Sequence, residues 1–258
     1  MSLIPSSNGG LRIQVVYSSK DPAGSNIARF LKERGEEVFA VSESLLYLED
    51  APDTDLIIFA SRHSSESGKP SFTVHAPGNF HLAEFGGRPS TLGMASAVAN
   101  RVFLAEFQGR KVGFDEFDVS LEVTHHGPTL ETPSVFVELG SSQQEWENLD
   151  AAKFVADVII NGMRRLEKVG DLEIAVGFGG GHYAPKFTRY VLKKACAISH
   201  ICPNYQFQHL NKDTICEMIR KTVEDVEVAL IDWKGLRKME RDRLIGMLDE
   251  IGLEWRRI

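Results

Sequence analysis

Short apolar runs alternate with amphipathic segments along most of this 258-residue chain. The runs have the length of buried β-strands, and the segments between them repeat apolar residues at helical spacing. The expected strands cover residues 11–17, 38–41, 56–60, 72–75, 117–124, 135–139, 172–176 and 226–231. The expected helices cover residues 22–34, 92–107, 149–168, 186–197, 212–223 and 236–251. This order predicts an α/β fold with one mixed central sheet and helices on both of its faces.

The composition suggests a cytoplasmic protein with one folded domain. Residues 1–10 are small and uncharged and lack the features of a secretory signal, so we expect a disordered tail there. Residues 11–258 contain no Pro/Ser-rich linker and no repeat, so we expect a single α/β domain. No apolar run approaches the length of about 18 residues that would suggest a membrane span. Cys196, Cys202 and Cys216 lack metal or disulfide spacing and suit reduced, buried thiols.

The net charge of −7 is distributed unevenly along the sequence. An acidic chain is not expected to coat nucleic acid nonspecifically, and DNA is not an expected partner. Residues 186–194 nevertheless contain Lys186, Arg189, Lys193 and Lys194 and no acidic residue. A local basic run of this kind can bind a phosphate backbone on an otherwise acidic protein. Charge alone leaves open the alternative of an ordinary solvated helix face.

Two short blocks combine histidine with glycine and proline directly after apolar, strand-like runs. Residues 122–129 read EVTHHGPT, and residues 177–185 read GFGGGHYAP. In an α/β fold, loops at the ends of rigid strands expose the side chains that carry chemistry. Three of the eight histidines, His125, His126 and His182, lie in these blocks. We therefore expect one active site in which these three histidines converge as the catalytic candidates.

The histidines favour hydrolytic chemistry, either with or without a metal. A zinc ion held by two or three of Glu122, His125, His126, Glu138 and His182 would lower the pKa of a bound water. Without a metal, a neutral histidine could act as a general base. Because His125 and His126 are adjacent, an extended backbone would point them to opposite sides, one into the site and one toward a neighbour. The His-Glu-x-x-His signature of metalloproteases is absent.

Glycines and polar residues in and near the two blocks are the candidates for substrate binding. The amides of Gly179, Gly180 and Gly181 could donate to a carbonyl oxyanion or a phosphate, and a tight turn from strand to helix would explain the same glycines. The block is a poor dinucleotide-binding loop, because His182 stands where the third glycine should be. The other candidates are Asn79, Thr124, Gly127, Thr129 and Tyr183.

The chain closely resembles the D-aminoacyl-tRNA deacylase family of archaea and plants. The resemblance is carried by Gly78-Asn79, by the two blocks, by residues 136–141 with Trp146, and by Phe187-Thr188. It implies hydrolysis of the ester that joins a D-amino acid to the 3′ end of tRNA. It also implies association with zinc and an α/β fold like that of phosphorylases and peptidyl-tRNA hydrolases. It leaves the catalytic group open.

Two other functions remain compatible with the predicted fold. One is a nucleoside phosphorylase-like enzyme, and the other is a non-enzymatic module that binds tRNA; fold alone does not choose among them. For a deacylase, we expect the tRNA to lie along Lys186, Arg189, Lys193 and Lys194. The reason is that this helix begins directly after the glycine block, and a helix N-terminus favours phosphate.

Overall fold

The computed structural model of the protein describes residues 10–258. The tail expected over residues 1–10 therefore lies, except for its last position, outside the described residues. The strands are β1 (Ile13–Ser18), β2 (Val38–Val41), β3 (Leu56–Arg62), β4 (Ser71–His75), β5 (Gly78–Asn79), β6 (Thr91–Leu92), β7 (Asp118–Leu121), β8 (Ser134–Gly140), β9 (Glu173–Phe178), β10 (Cys196–Cys202), β11 (Val228–Ile231) and β12 (Glu254–Arg257). The helices are α1 (Pro22–Glu33), α2 (Ala97–Arg110), α3 (Gln143–Trp146), α4 (Leu149–Leu166), α5 (Pro185–Lys193), α6 (Lys212–Arg220) and α7 (Lys238–Ile251). Short 3-10 turns cover Leu45–Tyr47 and Asn204–Gln206.

The strands of the described part form three sheets. The largest is a mixed six-stranded sheet with the order β2-β1-β3-β8-β4-β7, in which β4 runs antiparallel to β8. A parallel four-stranded sheet has the order β10-β9-β11-β12, and β5 pairs with β6. The expected α/β fold with a mixed central sheet flanked by helices is confirmed. The division of the strands among separate sheets is not evident from the sequence pattern.

Helices α1, α2 and α4 cover one face of the six-stranded sheet. Alternate strand residues, such as Ile58 and Val137, point to this face and are fully buried together with Ile27 of α1. Helix α1 begins where the sequence predicts, because the Asp21 side chain accepts a hydrogen bond from the first turn and Pro22 suits that position. Each such buried aliphatic side chain contributes about 1.5–3 kcal/mol.

The opposite face of the same sheet is covered by short segments instead of these helices. Phe59 and Phe136 point to this side, with ring centroids 4.7 Å apart, and pack in one apolar cluster with Leu45, Leu48 and Leu130. The first two leucines belong to the connection between β2 and β3. The carboxyl ends of β1 and β3 remain open on this side and border a cleft.

The structure differs from the sequence-based expectation after the basic run. The helix expected over residues 186–197 ends at Lys193, and Cys196–Cys202 forms the fully buried strand β10. The polar pair Ser199 and His200 interrupts the apolar pattern there, which hides the strand. The cysteines at the two ends of β10 are free and buried, as expected. No helix in residues 10–258 has the length and apolar character needed to cross a membrane.

Candidate active site

Strand register builds the first part of the site around Glu138 in β8. The pairing places Ser61 of β3 and Thr73 of β4 on either side of Glu138. Both hydroxyls donate to its carboxylate, Ser61 Oγ to Oε1 at 2.6 Å and Thr73 Oγ1 to Oε2 at 3.3 Å. Glu138 is nearly fully buried. The sheet therefore fixes the orientation of this carboxylate before any ligand binds.

The next row of side chains on the same face contains His75. The register places His75 opposite Phe136, and the two rings stack with centroids 4.8 Å apart and an interplanar angle of 2°. Its Nε2 lies 3.6 Å from Glu138 Oε2. Strand β7 ends at Leu121, three residues earlier than expected, and the amide of Glu122 donates to the carbonyl of Val74. Glu122 is thereby held beside His75.

Glu122 is the centre of the cluster. Its Oε1 lies 3.1 Å from His63 Nδ1, and its Oε2 lies 2.7 Å from His182 Nε2 and 3.6 Å from His125 Nε2. The Glu122 side chain is fully buried. His182 reaches it because the Val123 amide donates to the His182 carbonyl, which joins the two sequence blocks. The blocks therefore meet, as the sequence predicts.

The predicted convergence of His125, His126 and His182 in one cleft is confirmed. The ring centroid of His125 lies 4.2 Å from that of His126 and 4.5 Å from that of His182. The expectation that the adjacent histidines point to opposite sides is wrong. The reason is that His126 has φ +43°, so the segment is not extended. Such a conformation costs about 1–3 kcal/mol and is found at functional sites.

Hydrogen bonds define the tautomers of these adjacent histidines. His125 Nδ1 lies 2.8 Å from the carbonyl oxygen of Val123, and His126 Nδ1 lies 2.6 Å from that of Gly127. A carbonyl oxygen only accepts, so each Nδ1 carries a proton. Each Nε2 then keeps its lone pair. Both rings can therefore accept a proton or bind a metal through Nε2.

His63 and His75 are part of the site, although sequence reasoning missed both. His63 follows β3 directly and His75 ends β4. His63 Nε2 also lies 2.7 Å from the Tyr183 hydroxyl, which belongs to the second block. The criterion that selected the other histidines, a position at the end of an apolar run, applies equally to these two. Neither has a neighbouring glycine-rich motif to single it out.

The cluster pairs positive imidazoles with carboxylates. Burial would lower the pKa of His63, but Glu122 and Glu138 outweigh it and raise the pKa to about 11. Complete burial would also lower the pKa of His75, but Glu138 outweighs this effect and raises the pKa above its usual value. Burial would raise the pKa of both carboxylates, but neighbouring imidazoles outweigh it. His182 and His63 hold the pKa of Glu122 below its usual range. His63 and His75 do the same for Glu138. Two positive and two negative groups therefore balance in the interior.

His125 and His126 remain neutral beside these charged groups. Burial first, and the charge of His75 second, lower the pKa of both side chains. The pKa of His126 falls to about 4. At neutral pH, both rings therefore retain the Nε2 lone pair that the hydrogen bonds assign to them.

The donor set of the cluster fits a metal ion. Three groups of ligand atoms, each within 4.8 Å of one another, are formed by His75, His125 and His126, by Glu122, His125 and His182, and by His63, Glu122 and Glu138. Both carboxylate oxygens of Glu122 and Nε2 of His75 are buried without a hydrogen-bond partner. The imidazoles near Glu122 are in contact with it but are not aligned as hydrogen-bond donors. Unpaired buried polar atoms are uncommon. Imidazole nitrogen and carboxylate oxygen are the ligands that zinc takes besides thiolate.

The histidines open into a cleft of about 650 Å³. Its walls include His182, whose side chain is 38% exposed, and the carboxyl ends of β1 and β3. Strand β1 has β2 on one side and β3 on the other, so the cleft lies where the winding of the sheet changes direction. Ligands of open α/β sheets bind at this position. The volume is typical of a small-molecule site.

Several predicted substrate-binding residues have internal partners instead. Asn79 Nδ2 donates to the carbonyl of Gly86, and Thr129 Oγ1 accepts from the amide of Arg88. Both side chains therefore hold the 86–88 loop. A Cβ at Gly127 would lie 2.3 Å from the Gly87 amide nitrogen, so close packing requires this glycine.

Thr124 is buried outside the cleft. Its hydroxyl accepts from the Ile201 amide and lies 3.1 Å from His200 Nδ1. Because His200 Nε2 lies 3.2 Å from the carbonyl of Lys221, this ring carries its proton on Nε2 and accepts at Nδ1. Thr124 therefore joins the first block to β10, which is a structural contact.

The glycine block forms the turn from strand to helix that the sequence left open as an alternative. Gly179 and Gly180 have φ values of +102° and +81° and pack against Asp232. The Gly179 amide donates to the carbonyl of Cys202, so it is not available to an oxyanion. Gly181 has no neighbouring atoms where a Cβ would lie and remains open.

The basic run divides into one paired and three unpaired side chains. Lys186 donates to Asp232, which neutralises its charge. Arg189, Lys193 and Lys194 border an open groove on α5 and make no ion pair within residues 10–258. The unpaired cations are the better candidates for phosphate contacts.

Together, the fold and the buried His/Glu centre are typical of an α/β enzyme, with the candidate active site at the carboxyl ends of the strands of a mixed sheet. The family model described as D-aminoacyl-tRNA deacylase matches residues 50–256. The chain belongs to this family.

Similar proteins cover between 78% and 96% of the chain. It is 39% identical to the D-aminoacyl-tRNA deacylase of Methanocaldococcus jannaschii, over 96% of this chain and 100% of that protein. It is also 39% identical to the D-aminoacyl-tRNA deacylase of Pyrococcus furiosus, over 78% of this chain and 73% of that protein. The crystal structure of a conserved protein of unknown function is also similar, with a TM-score of 0.89. That protein is 30% identical in sequence, and the match covers 96% of this chain and 95% of the other chain.

Proposed function

We propose that this protein hydrolyses the ester bond of D-aminoacyl-tRNA and releases the free D-amino acid and tRNA. Membership in the deacylase family supports the substrate class. The observation that carries the proposal is the convergence of Glu122 with three imidazoles that line an open cleft. A module that only binds tRNA has no need for buried charged groups that are expensive to desolvate. The same groups suit hydrolysis of an activated ester.

The protein's own residues can bind and deprotonate the attacking water. His125 and His126 line the cleft, and the Nε2 lone pair of each ring can accept a proton. Glu122 orients His182 and His63 through its two oxygens. The position of Glu138 is fixed by hydroxyl donors, so it keeps His63 and His75 in place.

We further propose zinc as the cofactor, with Glu122, His125 and His182 as ligands and the neutral His126 as a neighbouring donor. Bound zinc would lower the pKa of a water molecule toward neutrality. The unpaired oxygens of Glu122 support this proposal, because metal coordination would satisfy them.

The proposal includes the handling of tRNA. Arg189, Lys193 and Lys194 would contact its phosphates, since their groove lies on the helix that follows the second block. Residues 11–258 would act as one deacylase domain. We place the reaction in the cytoplasm, where aminoacyl-tRNA is made and used.

The direct test uses tyrosyl-tRNA charged with either D- or L-tyrosine, with and without a chelator. The proposal expects hydrolysis of the D-form, slower hydrolysis of the L-form, and loss of activity on removal of zinc that is restored by adding zinc. Full activity in protein shown to be metal-free would remove zinc from the mechanism and leave the histidines. Binding of tRNA without turnover would support a binding module, and phosphate-dependent cleavage of nucleosides would support a phosphorylase.

A further inference from the structure

Tyr183, a candidate for substrate binding from the sequence, lines a second cavity instead of the cleft. This cavity has a volume of about 430 Å³, and its walls also include Ser120 and Thr188. The Tyr183 hydroxyl lies 2.7 Å from Nε2 of His63, which does line the cleft. The Tyr183 ring lies edge-on to the rings of His63 and His182, with centroid distances of 5.6 and 5.5 Å. Tyr183 therefore separates the histidine cluster from the second cavity.

The hydroxyl of Tyr183 sets the orientation of the His63 ring. Within residues 10–258, this contact is the one hydrogen bond of the His63 side chain that has good alignment. The other ring nitrogen, Nδ1, lies 3.1 Å from Glu122 Oε1 and 3.6 Å from Glu138 Oε2, and neither contact is aligned as a hydrogen bond. An ion pair attracts over a range of orientations, whereas a hydrogen bond weakens steeply when its angle changes. The position of Nδ1 beside Glu122 therefore depends on Tyr183.

The backbone holds both partners of this hydrogen bond in place. The residues on either side of Tyr183 pair with residues 121–123 through two amide–carbonyl hydrogen bonds. The His63 amide donates to the carbonyl of Leu139, and the His63 carbonyl accepts from Trp146 Nε1 at 2.8 Å. The hydroxyl and the imidazole are thereby preorganised for their contact, as a supporting shell around a reactive site requires.

We propose that Tyr183 is a positioning residue for hydrolysis, which acts through His63 to keep Glu122 oriented toward His182. This inference rests on the proposed function and adds to it a residue that touches neither the substrate nor the attacking water. Without the hydroxyl, Nε2 of His63 would border the second cavity, where water could bind the ring at other angles. A ring that rotates would no longer keep Nδ1 beside Glu122. Hydrogen bonds behind the groups of a reactive centre commonly control its geometry in this way.

The test is a double-mutant cycle of Tyr183→Phe with His63→Gln. Tyr183→Phe should lower kcat for D-tyrosyl-tRNA about 10- to 100-fold, the size expected for the loss of one hydrogen bond to a charged group, and should leave KM within about twofold. In the His63→Gln background, the same substitution should change kcat by less than about threefold, because the partner is already absent. A full effect in that background would show that Tyr183 does not act through His63 and would overturn the inference. A raised KM with unchanged kcat would make Tyr183 a substrate contact and would also overturn it.

Tyr17→Phe is the matched control for the loss of a tyrosine hydroxyl. Tyr17 is also buried, and its hydroxyl accepts a hydrogen bond from charged Lys32 at 3.1 Å. It packs in the apolar core on the helix-covered face of the sheet, away from the cleft. Tyr17→Phe should therefore lower the thermal midpoint at least as much as Tyr183→Phe and leave kcat and KM unchanged.

NMR of the His63 ring separates this inference from the proposed function. His63 is charged, so its Nε2 carries the proton of the hydrogen bond to Tyr183. The wild type should show a solvent-protected imidazole N–H resonance that is absent in His63→Gln, and Tyr183→Phe should lose it, whether or not the protein is a deacylase. If the wild type hydrolyses D-tyrosyl-tRNA while Tyr183→Phe keeps both its kcat and this resonance, the inference is wrong and the proposed function stands. If Tyr183→Phe loses the resonance but the wild type hydrolyses no D-aminoacyl-tRNA, the proposed function fails and the positioning of His63 by Tyr183 stands.

Discussion

Glu122→Gln is the sharpest perturbation of the proposed mechanism, because it removes one charge while keeping the shape of the side chain. The carboxylate lies 2.7 Å from His182 Nε2 and 3.1 Å from His63 Nδ1. Removing one partner of a buried ion pair costs about 3–5 kcal/mol, and the Glu122 carboxylate is the buried partner of the charged His63. If half of this energy is needed to hold the transition state, kcat should fall by about 10- to 100-fold. Loss of a metal ligand would add to this decrease, so we expect at least a 100-fold loss overall.

The assay is single-turnover deacylation of D-tyrosyl-tRNA at saturating enzyme, combined with measurement of bound zinc and of the thermal midpoint. Glu106→Gln is the matched control: Glu106 is also buried, but it pairs with Arg110 and Arg165 away from the cleft. The control should lose stability and keep its rate constant and its zinc. A folded Glu122→Gln protein that retains its activity within threefold would refute the assignment of Glu122 as the centre of the site.

Two further predictions concern RNA binding and acid stability. Lys193→Glu combined with Lys194→Glu should weaken tRNA binding strongly at low salt. It should also reduce the magnitude of the slope of log affinity against log salt by about 1–2, as expected for one or two lost phosphate contacts. The control, Lys153→Glu with Lys168→Glu, changes the net charge equally and should leave this slope unaltered. Burial lowers the pKa of His200 to about 4, below its usual range, so the unfolded chain binds a proton that the folded protein excludes, and stability is lost as pH falls from about 6.5 toward 4. The stability difference between wild type and His200→Gln should therefore shrink by about 3 kcal/mol between pH 7 and pH 4 in chemical unfolding, and a constant difference would contradict this account.

The sequence predicted the elements whose signals are local. Asp21-Pro22 marked the start of α1 correctly, because both the cap and the proline act within one turn. Strand β10 was missed, since its Ser199-His200 pair is polar yet buried by contacts that are distant in sequence. Thr222 Oγ1, for example, lies 2.6 Å from Ser199 Oγ. A pattern read along the chain cannot show a partner that the fold supplies.

The site shows the same division between local and long-range information. The two blocks identified His125, His126 and His182, because histidine beside glycine and proline is a local feature. His63 and His75 became part of the site only through strand register, which aligns β3, β8 and β4. The role of the glycines also depends on a contact that is distant in sequence, because the Gly179 amide donates to the carbonyl of Cys202.

The charge balance of the cluster argues for a reactive site and against a purely structural network. A buried ion pair is often no more stabilising than apolar side chains of similar volume, so stability alone gives little reason to bury Glu122 and Glu138. A stabilising network would also satisfy its polar atoms, yet both oxygens of Glu122 and the Nε2 of His75 lack hydrogen-bond partners. The neutral His125 and His126 beside them keep their Nε2 lone pairs free, although a structural role would pair those as well. Unpaired polar atoms buried beside a cleft are a cost to folding that a bound ligand or a reaction can offset.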